Sequence, residues 1–185
     1  MLPNILTLAR IAVIPALLLT YFLPGEVARL LAFILFLIAA ITDYYDGFLA
    51  RKYGMVSSIG AFLDPIADKL LVAAVILMLV MNGRLNGFDV IAAYLILGRE
   101  IWVSGLREYL GNGAKSVAVP VTSLAKWKTV IQMVALGGFL ALDTLTQLQV
   151  LYPLISLILW AAAALSLHTA YGYTRTFWQA LQGRE

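Results

Sequence analysis

Cysteine is absent from this 185-residue sequence and histidine occurs once, at His168. Disulfides and cysteine-ligated zinc or iron–sulfur centres are therefore excluded. A lone histidine gives no basis for a histidine-built metal site or catalytic triad, and His168 is read as an interface or packing residue. Charge is also scarce. Only 12% of residues are Asp, Glu, Lys or Arg, against about 25% in soluble domains. So little polar surface argues against both a water-soluble globular enzyme and a disordered chain. No Lys/Arg cluster is dense enough for nucleic acid, and internal repeats, low-complexity tracts and linkers are not evident.

What is abundant is apolar surface: 62% of the residues are hydrophobic, and mean hydropathy is +0.91. These residues run continuously and do not alternate, which excludes a porin-type barrel. The expected fold is all-α: a polytopic membrane protein of six transmembrane helices forming one domain over residues 1–185, with a polar cleft facing the cytoplasm. About 20 residues are needed per crossing. The uncharged stretches are mostly shorter than that, so most helices must borrow charged flanks. The expected spans are 5–23, 29–52, 60–82, 88–110, 122–142 and 150–176. Pro24-Gly25, Asn82-Gly83, Asn86-Gly87 and Gly111-Asn112-Gly113 punctuate them, and Pro153 suits the first turn of the last helix. The first apolar run has no basic flank before it and no A-x-A site after it, so it reads as a retained helix.

The net charge is +3. With the N-terminus inside, the outer loops carry Arg84, with Arg29 at an edge. The remaining basic residues fall mainly on the inner side, which places both termini in the cytoplasm. Glu26, Asp89 and Asp143 fall near the outer loops and are read as solvated. Trp102, Trp127, Trp160 and Trp178 suit an interfacial belt.

Four of the ten acidic residues, Asp43, Asp46, Asp64 and Asp68, lie on two consecutive helices. Asp43 and Asp46 are i,i+3; Asp64 and Asp68 are i,i+4. Both spacings stack side chains on one helical face. Lys52 to Ser58 is short and polar enough to turn the chain, so the two pairs can face each other near the cytoplasmic interface. Carboxylates in a bilayer each cost about 2.5–3.5 kcal/mol, and four together repel. Divalent cations offset both costs, and all-oxygen ligation suits Mg²⁺ or Mn²⁺, two ions sharing ligands. Gly47, Ala50 and Gly60 lie within a turn of the acids. They leave a groove for a bulky polar group, or simply let helices approach.

The pattern Asp43-x-x-Asp46-Gly47-x-x-Ala50-Arg51, eight residues, then Gly60-x-x-x-Asp64-x-x-x-Asp68 resembles the signature of the CDP-alcohol phosphatidyltransferases. Members are six-helix membrane enzymes, usually homodimers, that move a phosphatidyl or related group from a CDP-linked donor to an alcohol and release CMP. The resemblance implies that Asp43, Asp46 and Asp64 are ligands of a two-metal centre. It implies that Asp68 is the general base and a further metal contact. Gly47, Ala50 and Gly60 would line the cytidine site, and Arg51 would orient donor phosphates or brace the acids.

Further segments resemble the phosphatidylglycerophosphate synthase branch of that family. They are Pro3-Asn4-x-Leu6-Thr7-x-x-Arg10, Asp64-Pro65-x-Ala67-Asp68-Lys69, Gly98-Arg99-Glu100-Ile101, Ser104-Gly105-Leu106-Arg107-Glu108 and Ser123 to Thr129 with Gln132-Met133. The partners implied are CDP-diacylglycerol, sn-glycerol 3-phosphate, membrane lipids and a second copy of the chain, in the inner (cytoplasmic) membrane. Asn4, Thr7 and Arg10 share a helical face and would reach the donor phosphates. The plainer alternative is helix capping by Asn4 and headgroup contact by Arg10. For the acceptor phosphate the cations are Arg107 and Lys126, then Arg99 and Lys69. A structural ion pair with Glu100 is an equal reading for Arg99. Lys115, Lys128, Arg175 and Arg184, at helix ends, read as snorkelling toward headgroups.

Two other classes fit the sequence less well. An aromatic-type prenyltransferase would be expected to carry its acids on two separated hairpins in a longer chain. An ion or proton transporter tends toward midplane acids and an internal repeat.

Overall fold

In the computed structural model, the backbone is described for residues 2–53, 58–111 and 123–182. Among these residues every regular element is helical. The helices are α1 (Leu2–Leu19), α2 (Glu26–Tyr53), α3 (Ser58–Met81), α4 (Phe88–Gly111), α5 (Ser123–Thr144) and α6 (Tyr152–Gln182). Short 3₁₀ segments, Thr20–Phe22 and Thr146–Leu151, follow α1 and α5. As helices, the expected segments agree with these bounds to within a few residues, α6 running furthest beyond its expected end.

The local stops are chemical. After α3, Gly83 takes φ 65°, a left-handed conformation that costs glycine little. Arg84 N–H then reaches back to Leu79 C=O at 2.9 Å and Gly83 N–H to Val80 C=O at 3.0 Å. This pair of bonds is a Schellman motif and satisfies carbonyls that the helix end would leave open. Glu26 and Asp89 open α2 and α4, where an acid favours the positive end of the helix dipole.

The contacts group the chain into two compact units: Met1–Asn86 with Leu136–Pro153, and Gly87–Ala135 with Leu154–Glu185. In the first, α1 packs on α2 and α3. The inward stripe of α2 is Ala28, Ala32, Phe36 and Ala39, at helical spacing. Leu17, Ala67, Leu71, Val75 and Leu79 are buried with it. A Cβ at Gly137 would sit 3.0 Å from the Phe36 ring, so a larger residue there would make the ring give way by a few tenths of an ångström. In the second unit, Val103, Leu106, Ala170 and Tyr173 form a buried cluster with Phe177 against it.

Every helix also exposes large apolar side chains, among them Leu8, Val27, Phe62, Ile101, Trp127 and Leu157. Water would not tolerate so much apolar surface, whereas lipid does. By length and composition one segment, Gln147–Gln179, qualifies clearly as a membrane span among the described residues, with mean hydropathy 2.1. The apolar stretch Leu8–Phe22 is shorter.

Two acids expected to be solvated are buried. Asp143 is 4% exposed, ion-paired to Arg84 Nε at 2.7 Å, and accepts from Asn82 Nδ2 at 3.5 Å. Asp89 is 6% exposed and accepts from the Ser156 hydroxyl at 2.6 Å and Trp160 Nε1 at 3.1 Å. Each carboxylate is held by donors distant in sequence, which hydropathy alone does not reveal. Glu26 does project outward, and His168 is exposed.

Candidate active site

The acidic motif is carried by facing surfaces of the first unit. Asp43 and Asp46 lie one turn apart on α2, and Asp64 and Asp68 one turn apart on α3. Pro65 sits inside α3 directly after Asp64. Lacking an N–H, it cannot complete the helical bond to the carbonyl four residues earlier. Lys69 Nζ donates to the Pro65 carbonyl at 2.9 Å, so this lysine is tied to its own helix.

The facing acids meet on an arginine from α1. Arg10 Nη1 lies 2.5 Å from Asp43 Oδ1 and 3.3 Å from Asp68 Oδ1. The Arg10 side chain is 0% exposed, whereas Asp43 and Asp68 keep 29% and 46% of theirs accessible. Asp43 and Asp68 also lie within hydrogen-bonding reach of each other, with Asp64 close enough to add to the repulsion. The guanidinium thus offsets part of the acids' charge from one side and leaves carboxylate surface accessible. Arg10 is buried among carboxylates, so neither the donor-phosphate contact expected of it nor the headgroup contact is formed; its guanidinium pairs with Asp43 and Asp68 instead.

Hard oxygen donors converging from two helices are the set that Mg²⁺ or Mn²⁺ prefers. Among the described residues no three carboxylate or histidine side chains form a ready-made metal cluster. The Asp46 side chain lies outside the described residues, as do those of Asn4, Thr7, Ala50, Arg51 and Lys126, the surroundings of Gly47 and the segment 54–57. Gly60 is buried on α3. The donor chemistry fits a divalent cation, with Arg10 covering part of the charge.

The second unit holds the other basic candidates. Arg99 is committed to structure: Nε donates to Ser166 C=O at 3.2 Å, Nη1 to Glu100 at 3.0 Å and Nη2 to the Thr169 hydroxyl at 2.9 Å. Of its two readings, the ion pair with Glu100 is therefore the one formed. Lys128, expected to snorkel, is instead 4% exposed and bonded to the same Glu100 oxygen. Glu100 joins α4 to α5, and Arg99 joins α4 to α6. The Arg99–Glu100 half of this junction is the one the sequence reading holds open; the Lys128 half is missed, because nothing in the sequence pairs a lysine near the start of α5 with a glutamate on α4. Arg107 stays exposed. Its Nη2 donates to the Tyr173 hydroxyl at 2.5 Å, and its guanidinium lies 4.8 Å from the Tyr173 ring centroid. A charge held this way is oriented yet accessible.

Comparison with known proteins points to one family. Residues 1–168 match the family described as CDP-alcohol phosphatidyltransferase. The CDP-diacylglycerol–glycerol-3-phosphate 3-phosphatidyltransferase of Rickettsia bellii (strain RML369-C) is 49% identical over 172 residues, 93% of this chain and 92% of its own. CDP-diacylglycerol–glycerol-3-phosphate 3-phosphatidyltransferase 2 of Arabidopsis thaliana is 40% identical over 189 residues, 97% of this chain and 81% of its own. The Haemophilus influenzae protein bearing the same enzyme name is 39% identical over 138 residues, covering 75% of this chain and 74% of its own. A match that takes in the whole acidic hairpin, and relatives aligned along most of their length, lead to one assignment: this chain belongs to the CDP-alcohol phosphatidyltransferase family.

Proposed function

We propose that this chain transfers the phosphatidyl group of CDP-diacylglycerol to sn-glycerol 3-phosphate, giving phosphatidylglycerophosphate and CMP. The observation that carries the reading is the meeting of Asp43 and Asp68, from two helices of the family motif, on one buried arginine. The enzyme name borne by the relatives supports the choice of donor and acceptor.

In this reading Asp68 accepts the proton of the attacking acceptor hydroxyl, its accessible carboxylate being suited to a general base. The hydroxyl oxygen bonds to the β-phosphorus, the bond from that phosphorus to the CMP oxygen breaks, and CMP departs with the electron pair. Asp43, Asp46, Asp64 and Asp68 would hold Mg²⁺ or Mn²⁺, two ions per site, whose chemistry is to stabilise charge on the pyrophosphate. Gly47, Ala50 and Gly60 are assigned to the cytidine side, Arg51 with Asn4 and Thr7 to the donor phosphates. Arg10 orients Asp43 and Asp68. Arg107 and Lys126, with Lys69 in a lesser role, are assigned to the acceptor phosphate on charge and motif.

The chain is proposed as one integral-membrane domain over residues 1–185 that crosses the inner membrane six times and works as a homodimer. Both termini and the polar cleft face the cytoplasm, so lipid enters sideways while the glycerol phosphate arrives from water. The test is CMP release from CDP-diacylglycerol by the purified protein. Release should require both Mg²⁺ or Mn²⁺ and glycerol 3-phosphate. Release indifferent to glycerol 3-phosphate, or supported equally by serine or an inositol phosphate, overturns the acceptor assignment.

A further inference from the structure

A second polar site lies in the first unit, at the other end of α3 from the acids. Asp68 and Asn82 are separated by roughly 20 Å along the helix axis at 1.5 Å per residue. There a cavity of about 170 Å³ is lined by Thr20, Tyr21, Arg29, Asn82, Arg84 and Asp143, among others. Two arginines share it with one buried acid. Asp143 is occupied by Arg84 and Asn82, so it does not offset the charge of the second arginine, Arg29, whose side chain is 34% exposed. Its nearest acid is Glu26, at 4.0 Å and 81% exposed, a contact of little weight in water.

Arg29 also has a buried Nε–H without a hydrogen-bond partner. A buried donor left unmade costs free energy, and in native proteins such a group usually finds an acceptor. Around the cavity, Phe22, Leu23, Val27 and Leu30 are exposed apolar side chains, and Leu23 is part of the lining. A cationic recess beside a greasy surface fits a molecule with an anionic head and an apolar tail.

The geometry points to a binding site, separate from the acidic hairpin, for the phosphate of an anionic phospholipid headgroup. Arg29 donates to the phosphate through the accessible N–H groups of its guanidinium, its side chain being 34% exposed, with Arg84 and Asn82 beside it, and the acyl chains lie along Phe22, Leu23 and Val27. The site goes beyond the transfer reaction and does not depend on it.

The test uses the full chain purified in detergent. Binding of dioleoyl-phosphatidylserine, which is neither proposed substrate nor proposed product, is titrated by native mass spectrometry against dioleoyl-phosphatidylcholine. Phosphatidylserine should bind more tightly, and Arg29→Gln should weaken it by about tenfold, the size of one charge-assisted hydrogen bond. CMP release should be unchanged in that variant. Arg29→Lys, which restores the charge, should recover most of the affinity. Equal phosphatidylserine affinity in wild type and Arg29→Gln overturns the site, and Arg29→Lys as weak as Arg29→Gln overturns recognition by charge. Inorganic phosphate that competes as well as the lipid at equal concentration makes the ligand a soluble anion and overturns the lipid assignment.

Discussion

Arg10 and Asp43 form an ion pair of 2.5 Å in which the arginine is wholly buried and the aspartate is not. The same guanidinium nitrogen holds Asp68. One cation thus offsets the repulsion between acids that α2 and α3 bring face to face. Arg10→Gln should lower stability by about 2–4 kcal/mol, near the cost of breaking a buried pair and reduced because Asp68 keeps contact with solvent. Adding Asp43→Asn to Arg10→Gln should recover part of the loss. Thermal unfolding of the wild type and the two variants in detergent decides it, and an Arg10→Gln protein as stable as wild type would refute the coupling.

Asp68→Asn should preserve the fold and donor binding while lowering turnover by about 10²–10⁴-fold, the usual contribution of a positioned general base. The checks are CMP release and equilibrium binding of CDP-diacylglycerol. Near-normal turnover would remove Asp68 from the proton-accepting role.

Glu100 lies between Arg99 and Lys128. Glu100→Gln leaves two buried cations without their shared anion and should cost about 3 kcal/mol. Lys128→Met in the same background should recover much of that, because a methionine carries no charge to strand. If the double variant is no more stable than Glu100→Gln alone, the pair is not the source of the cost.

Arg107→Ala should raise the KM for glycerol 3-phosphate more than that for the lipid donor. Tyr173→Phe, which removes the hydroxyl that Arg107 grips, should move the same constant in the same direction by less. Steady-state kinetics with each substrate varied in turn measures both. Equal effects on the two substrates would argue against acceptor binding.

Much of this organisation is legible in the sequence because the boundaries are written in backbone chemistry. Gly25, Gly83 and Gly87 all adopt positive φ, and each stands at a break that Gly-containing pairs announce. The acid spacing is legible for the same reason: helical periodicity puts Asp43 with Asp46 and Asp64 with Asp68 on one face each. Partner choice is not legible. Asp89 and Asp143 look like loop acids until Trp160 and Arg84 are brought to them. Lys128 looks like a headgroup lysine until Glu100 is found opposite. Such pairings depend on how each helix is rotated about its own axis, and a charge near a helix end carries no mark of that rotation.

The burial of Arg10 bears on biogenesis. A ribosome makes α1 before α2 and α3, so the guanidinium is already present when Asp43 and then Asp68 emerge. In the proposed six-span arrangement the first acid would reach the nascent bundle with its counterion in place, and the second would join a pair already formed, so neither would wait in hydrocarbon for a later segment. Moving that cation to the last helix would give the same final charge, yet would leave the growing intermediate with unmatched anions throughout its insertion.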